Sequence, residues 1–246
     1  MAMPRIIILL TLVLSLAAQG RELKFVGQES PAFNATVAGI YTGAMVEIAQ
    51  TVCARLGHQC SFTGMPLLRA LTESRTGRAD AVLSLLLNDE RSSYLNFTDG
   101  IIVSHVAFLG NPGTGPVHSE RELDGYTVAS VRGSTTLRML EDKAVRLSKM
   151  RVVAETDIAT IVQKLHAGRY GDKALIFGPK AMLEITAAEL EIRTVPVLVA
   201  DKLEFRIAFA KHLDPAVLAG FNSELQKLRG SGELARIARK YGLDVD

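Results

Sequence analysis

Short apolar segments alternate with amphipathic helical ones along most of this chain, and one Pro/Gly-rich break divides the alternation into two sets. Lys24-Phe25-Val26 reads as a strand closed by Gly27, and the stretch from Gln28 to Val37 is polar and contains Pro31. After Gly43 the residues Met45, Ile48, Ala49, Val52, Cys53 and Leu56 recur at intervals of three and four, the period of one helix face. Ser61-Phe62-Thr63 reads as a strand, and Pro66 starts a helix that runs to Arg75 and closes at Gly77. Ala81-Val82-Leu83 and Ile101-Ile102-Val103 open buried strands. In the second set, strands are expected at Thr127 to Val131, Val152 to Ala154, Lys173 to Phe177 and Phe205 to Ala210. Helices are expected from Thr135 to Leu147, after the cap Asp157, from Pro179, and over Pro215–Leu228 and Gly232–Tyr241. This order predicts an α/β protein with mostly parallel sheets. The break, Asn111-Pro112-Gly113-Thr114-Gly115-Pro116, predicts two lobes with a cleft between them.

Charge and composition narrow the classes. With 28 Lys plus Arg against 26 Asp plus Glu, the chain carries too little excess charge for a polybasic nucleic-acid protein. Its 48% of hydrophobic residues excludes wholesale disorder, and 246 residues suffice for a substantial core. At the N-terminus Arg5 precedes the apolar run from Ile6 to Leu16, and Ala17-Ala18-Gln19-Gly20 follows. This is the order of a secretory signal peptide, cleaved near residues 18–20. The alternative is an uncleaved anchor, for which the run is short against the roughly 20 residues of a membrane helix. The expectation is therefore an exported, soluble mature protein.

Export bears on the two cysteines. Cys53 and Cys60 flank Leu56-Gly57, which has the look of a helix end with Gly57 in the left-handed cap position. A helix end turning directly into a strand can bring two such residues within bridging range, so they form one disulfide in an oxidising compartment or stay as buried free thiols. The five histidines show no metal-ligand spacing, and no nucleotide-binding loop or hydrolase elbow occurs. No cofactor and no metal is indicated.

Several ordered fragments carry a resemblance. Tyr41-Thr42-Gly43-Ala44-Met45-Val46-Glu47-Ile48-Ala49 looks like a Gly-Phe-Asp-x-Asp-Leu-Ala helix start, and Gly77-Arg78-Ala79-Asp80-Ala81 like a Gly-x-x-Asp-Ala strand entry. Asn88-Asp89-Glu90-Arg91 and Phe97-Thr98-Asp99 look like Thr-x-Glu-Arg and Phe-Ser/Thr-x segments. Leu123-Asp124-Gly125-Tyr126-Thr127-Val128 and Gly133-Ser134-Thr135-Thr136 match Leu-x-Gly-x-x-Val and Gly-Ser/Thr-Thr patterns. In this order and spacing the chain resembles the bacterial periplasmic solute-binding proteins of the polar amino-acid uptake family, the receptors of ABC importers (family 3, type II periplasmic-binding fold). The resemblance implies a two-lobed α/β protein, each lobe a mixed, mostly parallel sheet flanked by helices. Two strands form the hinge. It assigns residues 21–109 and 203–246 to lobe I and 110–202 to lobe II. It also implies a small-molecule ligand with a carboxylate (an amino acid or related organic acid), an inner-membrane permease as partner and a monomeric receptor. The spacing of Cys53 and Cys60 matches the disulfide of the family's basic-amino-acid receptors.

The same resemblance nominates ligand contacts. Arg91 stands where the family binds the α-carboxylate, and a guanidinium offers the planar fork of donors that a carboxylate needs. Its other reading is an arginine in a structural ion pair. Gly133-Ser134-Thr135, a strand end turning into a helix, offers free N–H groups to an anion, or serves as an ordinary cap. Ser84 matches a contacting position, Leu86 a position where only the main chain can contact, and Leu67 an apolar lining residue. Glu29 lies where an acidic residue often sits near the ligand, and otherwise is a solvated loop carboxylate. Arg132, beside the turn, adds positive charge or is simply exposed. The family's lobe II aspartate, which pairs with the α-ammonium, is replaced by Phe177 or Gly178 in Asp172-Lys173-Ala174-Leu175-Ile176-Phe177-Gly178-Pro179. An unpaired buried ammonium is costly, so a standard α-amino acid is not expected to be held in the usual way, and the charge of Arg132 would favour an acidic or amine-free ligand.

The leading function is thus a receptor without catalysis. Two alternatives share the fold: a periplasmic dehydratase acting on cyclohexadienyl acids, with Glu29 as the candidate general acid, and a sensor that reports ligand state to a membrane partner.

Overall fold

The protein is described from a computed structural model, which covers residues 22–31 and 33–243. The signal segment expected over residues 1–20 lies outside the described residues. The chain opens with β1 (Leu23–Gly27), a hairpin of β2 (Ala35–Val37) and β3 (Ile40–Thr42), helix α1 (Ala44–Leu56) and β4 (Cys60–Gly64). There follow α2 (Leu67–Arg75), β5 (Ala81–Leu86), the short α3 (Asp89–Ser92), β6 (Leu95–Phe97) and the long β7 (Ile102–Gly110). The second set comprises β8 (Thr127–Val131), α4 (Thr135–Arg146), β9 (Arg151–Glu155), α5 (Ile158–His166), β10 (Ala174–Pro179) and α6 (Lys180–Glu189). The 16-residue β11 (Val195–Ala210), α7 (Pro215–Gly230) and α8 (Glu233–Lys240) complete it.

Nine strands form one curled mixed sheet in the order β4-β1-β5-β11-β7-β10-β8-β9, with β6 also paired to β11. At one end β4, β1 and β5 run parallel, and at the other β10, β8 and β9 do. Between them β7 and β11 pair antiparallel from Ile102–Phe205 to Gly110–Val195. The two expected sheets therefore share β7 and β11 and are continuous through them. Every residue of β5 and β10 is buried, as expected of inner strands covered by helices on their faces.

Two elements differ from the sequence reading. The polar stretch after Gln28 contains the β2–β3 hairpin, whose two-residue turn holds Ala38 at φ 50° and Gly39 at φ 80°. Alanine in that region is uncommon, so the turn carries no ordinary Asn-Gly signal. Strand β11 begins ten residues before Phe205. Its first part carries Pro196 and shifts register twice, between Pro196 and Leu198 and between Val199 and Lys202, which breaks the apolar alternation.

The C-terminal helices return to the first set. Phe221 of α7 and Phe209 of β11 pack with Phe25 of β1, their ring centroids 4.8–5.9 Å apart, and Phe62 of β4 stacks on Phe25 at 5.0 Å. Leu234, Ile237 and Ala238 of α8 share one buried core with Ile48 and Val52 of α1. At its edge Lys240 and Tyr241 donate to Glu47 Oε2 at 2.6 and 2.8 Å. Burial pushes the Glu47 carboxyl up, but these two hydrogen bonds and the Lys240 charge outweigh it and leave it below its ordinary value. A lowered pKa contributes stability above the unfolded value, lost as pH falls through the folded one. Glu47→Gln is thus expected to cost about 0.5–1 kcal/mol at pH 7, a figure discounted for the exposure of Lys240. Urea titrations of both proteins should show that difference shrinking as pH falls below about 4.5, and a difference independent of pH would contradict the charge assignment.

The cysteines are bridged: Cys53, near the end of α1, is joined to Cys60, the first residue of β4. Gly57 takes the left-handed conformation at φ 71°, and His58 N donates back to Cys53 O at 2.9 Å, closing the helix between the two sulfurs.

Candidate functional site

In open α/β sheets, ligands bind beyond the carboxyl ends of parallel strands. Here the parallel strands of both sheet ends point those termini at one cavity. From the first set it is lined by Gln28 after β1, Leu67 after β4, Ser84 to Leu86 of β5, and Arg91. From the second set come Val131 of β8, Ser134 to Thr136 at the start of α4, Ile158 at the start of α5, and Phe177 to Pro179 of β10. Ile161, Met182, Leu183 and Phe205 close the wall. This cavity measures about 40 Å³. Through Gln28, Leu67 and Ile158 it adjoins an outer groove of about 520 Å³ that also carries Glu29, Arg132 and Asp157.

Arg91 sits on α3, whose cap Asn88 accepts from Arg91 N at 2.9 Å. The side chain is 4% exposed. Its Nη1 donates to Leu86 O and its Nη2 to Gly133 O, both at 3.0 Å, so it joins the two halves of the chain. Burial pulls the guanidinium down from its ordinary value; Tyr94 opposes this, Arg138 adds to it and Glu90 opposes it. An arginine stays protonated in proteins all the same. Among the described residues no carboxylate pairs with it, so the ion-pair reading does not describe its bonds. Glu90 instead takes Arg138 Nη1 at 2.6 Å.

Opposite lies the start of α4. Ser134 caps it, its Oγ accepting from Leu137 N at 2.9 Å and meeting Thr136 Oγ1 at 3.0 Å. Thr135 Oγ1 accepts from Asn88 Nδ2 at 2.9 Å, a second bond between the two sets. Gly133 turns the chain at φ 71°, and a side chain there would run into Leu68 of α2. Leu68 is half exposed and can move aside, so it is the left-handed turn that favours glycine here.

Ser84 has φ 57° inside a strand. The register explains it: from the pair Arg206–Leu85 to the pair Ala208–Val82, β5 advances three residues and β11 two. The extra residue makes a bulge that turns Ser84 toward the cavity, where strained backbone often marks function. Ser84 Oγ donates to Asn34 Oδ1 at 2.5 Å, and Asn34 Nδ2 and Tyr41 Oη both donate to Gln28 O, at 2.7 and 2.9 Å. Burial, and then the Glu29 charge, push the Tyr41 hydroxyl well above its ordinary value, so it stays protonated.

Seven of the eight nominated residues, Leu67, Ser84, Leu86, Arg91, Ser134, Thr135 and Phe177, therefore line one cavity. Leu86 offers its carbonyl, held by Arg91, and Phe177 is fully buried with its ring 4.3 Å from that of Phe108. Glu29 is apart, in the outer groove, where its oxygens accept from Thr36 N and Thr36 Oγ1 at 2.7 Å. Arg132 is also in the groove, its Nη2 on Ala154 O at 3.1 Å. The sequence reading missed Gln28, Ile158 and Met182. The first two follow strand ends and could have been found by that rule; Met182 carries no local signal.

The family model described as "Bacterial extracellular solute-binding proteins, family 3" matches residues 25–244. The arginine-binding extracellular protein ArtP of Bacillus subtilis is 24% identical over 204 residues, which is 81% of this chain and 77% of that protein. Among solved structures, an ancestral arginine-binding protein bound to arginine superposes with TM-score 0.80 at 20% identity, covering 90% of this chain and 98% of the other. A histidine kinase sensor domain with similarity to periplasmic binding proteins gives 0.81 at 22% identity, covering 93% and 99%. At these identities the structural likenesses establish the shared fold.

Proposed function

The chain belongs to the bacterial extracellular solute-binding proteins of family 3, and from that premise we propose that it captures a small carboxylate-bearing solute between its two halves and delivers it to an ABC permease. One observation carries this reading: a buried guanidinium that lines the cavity and is bonded only to carbonyl oxygens. Its positive charge is left to be balanced by a ligand, and a planar fork of N–H donors suits a carboxylate. The first N–H groups of α4, beside Ser134 and Thr135, add partial positive charge on the opposite wall.

In this proposal residues 21–109 and 203–246 form lobe I and residues 110–202 form lobe II. That division is supported by α7 and α8 packing on α1 and by β7 and β11 being the strands that join the two parallel sets. Opening and closing about those strands admits the solute, and contacts made only in the closed state, such as Arg91 to Gly133 O, favour closure. The receptor works as an exported monomer, in the periplasm once the signal is removed. A binding role is favoured over a dehydratase because Glu29, the candidate acid, holds Thr36 in the outer groove, away from the cavity that contains Arg91.

A thermal-shift screen tests the proposal. Carboxylates at about a hundredfold over Kd should raise the midpoint by roughly 5–10 °C, while amines without a carboxylate leave it unchanged. Stabilisation by amines alone would contradict it.

A further inference from the structure

The cavity around Arg91 is one-sided in charge. Among the described residues Arg91 is the single charged one in its lining, which is otherwise apolar apart from Gln28, Ser84 and the hydroxyls of Ser134 to Thr136. Two carboxylates of the adjoining groove, Glu29 and Asp157, do not line this cavity, and Glu90, next to Arg91, turns to Arg138. In the groove Glu29 is engaged by Thr36, and Asp157 by Thr160 N at 2.7 Å and by the Thr156 hydroxyl at 2.9 Å.

An α-ammonium is two bonds from its carboxylate carbon, so with the carboxylate on Arg91 the ammonium must lie inside this cavity. The acceptors there are all uncharged, and most already have one partner. Leu86 O and Gly133 O receive Arg91, Gln28 O receives Asn34 and Tyr41, and the Ser84 hydroxyl is turned to Asn34. Ser134 Oγ receives Leu137 N, and Thr135 Oγ1 receives Asn88. A buried ammonium with no anion beside it is strongly disfavoured. The wall that would face it presents Phe177, Gly178 and Pro179.

Resting on the carboxylate reading above, we infer that the ligand is a carboxylic acid with an uncharged α-position and an apolar body, such as a 2-oxo acid, rather than an α-amino acid. Leu67 and Ile158, which line both the cavity and the outer groove, receive the body with Met182, and Arg91 takes the carboxylate. Gly178 is the position from which selectivity can be changed. The nearest atoms to a Cβ built there are Leu183 side-chain carbons at 3.6 Å, ordinary contact distance, so a Cβ is accommodated.

The experiment is calorimetric titration with matched pairs that differ only at the α-carbon: 4-methyl-2-oxopentanoate against leucine, 2-oxopentanoate against norvaline, and phenylpyruvate against phenylalanine. The inference expects the oxo acid of at least one pair to bind about a hundredfold or more tighter than its amino acid. In Gly178→Asp the preference should reverse, because the new carboxylate repels the acid and pairs with an ammonium; Gly178→Ala should keep the original order. The wild-type comparison decides the matter even where Gly178→Asp fails to fold. Amino acids binding as tightly as their oxo acids, with binding lost in Arg91→Ala, would overturn this inference and leave the carboxylate receptor standing. Binding of neither member of any pair, or binding indifferent to Arg91, would overturn both.

Discussion

Arg91→Ala is expected to weaken capture of a carboxylate solute by roughly 30- to 1,000-fold, the equivalent of about 2–4 kcal/mol, while the protein remains folded. The size follows from burial. The guanidinium is 4% exposed, so a carboxylate held by it is also withdrawn from water, where charge-assisted bonds are strongest. The fold is expected to survive because two effects offset each other. Removing a desolvated charge that has no carboxylate partner relieves a cost, whereas Leu86 O and Gly133 O each lose a donor. The thermal midpoint should therefore move by only a few degrees. Arg91→Lys should fall between the two, since lysine restores charge without the planar fork. Calorimetric titration together with circular dichroism reads both quantities; unchanged affinity in a folded Arg91→Ala protein would remove Arg91 from the site.

The second large effect lies away from the cavity. Replacing both Cys53 and Cys60 by alanine is expected to destabilise the protein by about 2–3 kcal/mol, because the bridge closes a short loop in the unfolded chain. For a chain of this size that corresponds to a fall in midpoint of roughly 5–10 °C. Reduction of the wild-type protein should lower the midpoint by the same amount and raise its mass by about two daltons. The position explains why the loss is structural rather than functional. Cys53 packs in the core of α1 and Cys60 begins the edge strand β4, so the bridge fixes a helix end. It does not line the cavity. Carboxylate affinity at 20 °C should be little changed in the double variant, and a large loss of affinity would show that the bridge also shapes the cleft.

Legibility in the sequence followed local signals. Strand β8 and the start of α5 were readable because an apolar run and a capping aspartate act over a few residues; Asp157 Oδ1 does accept from Thr160 N. The hairpin was hidden because its turn uses Ala38 in a left-handed conformation that alanine seldom takes. Strand β11 was shortened in the reading because Pro196 and two register shifts disturb its alternation, and pairing with β7 maintains it as a strand. The cavity lining was largely legible where a motif named it, as with Arg91 and Ser134. Its less obvious features arise from tertiary structure: the bulge at Ser84 exists only against β11, and the bonds of Arg91 to Gly133 O and of Asn88 to Thr135 form only when the two halves meet. Glu29 was nominated by its place in the chain, and Thr36 of the unforeseen hairpin holds it in the outer groove.

Recognition of a carboxylate by Arg91 is tested most directly by a double-mutant cycle across ligand and protein. The best-binding carboxylic acid and its primary amide would each be titrated into the wild-type protein and into Arg91→Ala. Recognition by the buried guanidinium predicts that the amide binds the wild-type protein about a hundredfold more weakly than the acid, and that the variant distinguishes the two by less than about threefold. An amide that binds wild-type protein as tightly as the acid, or an acid preference that survives in Arg91→Ala, would contradict it.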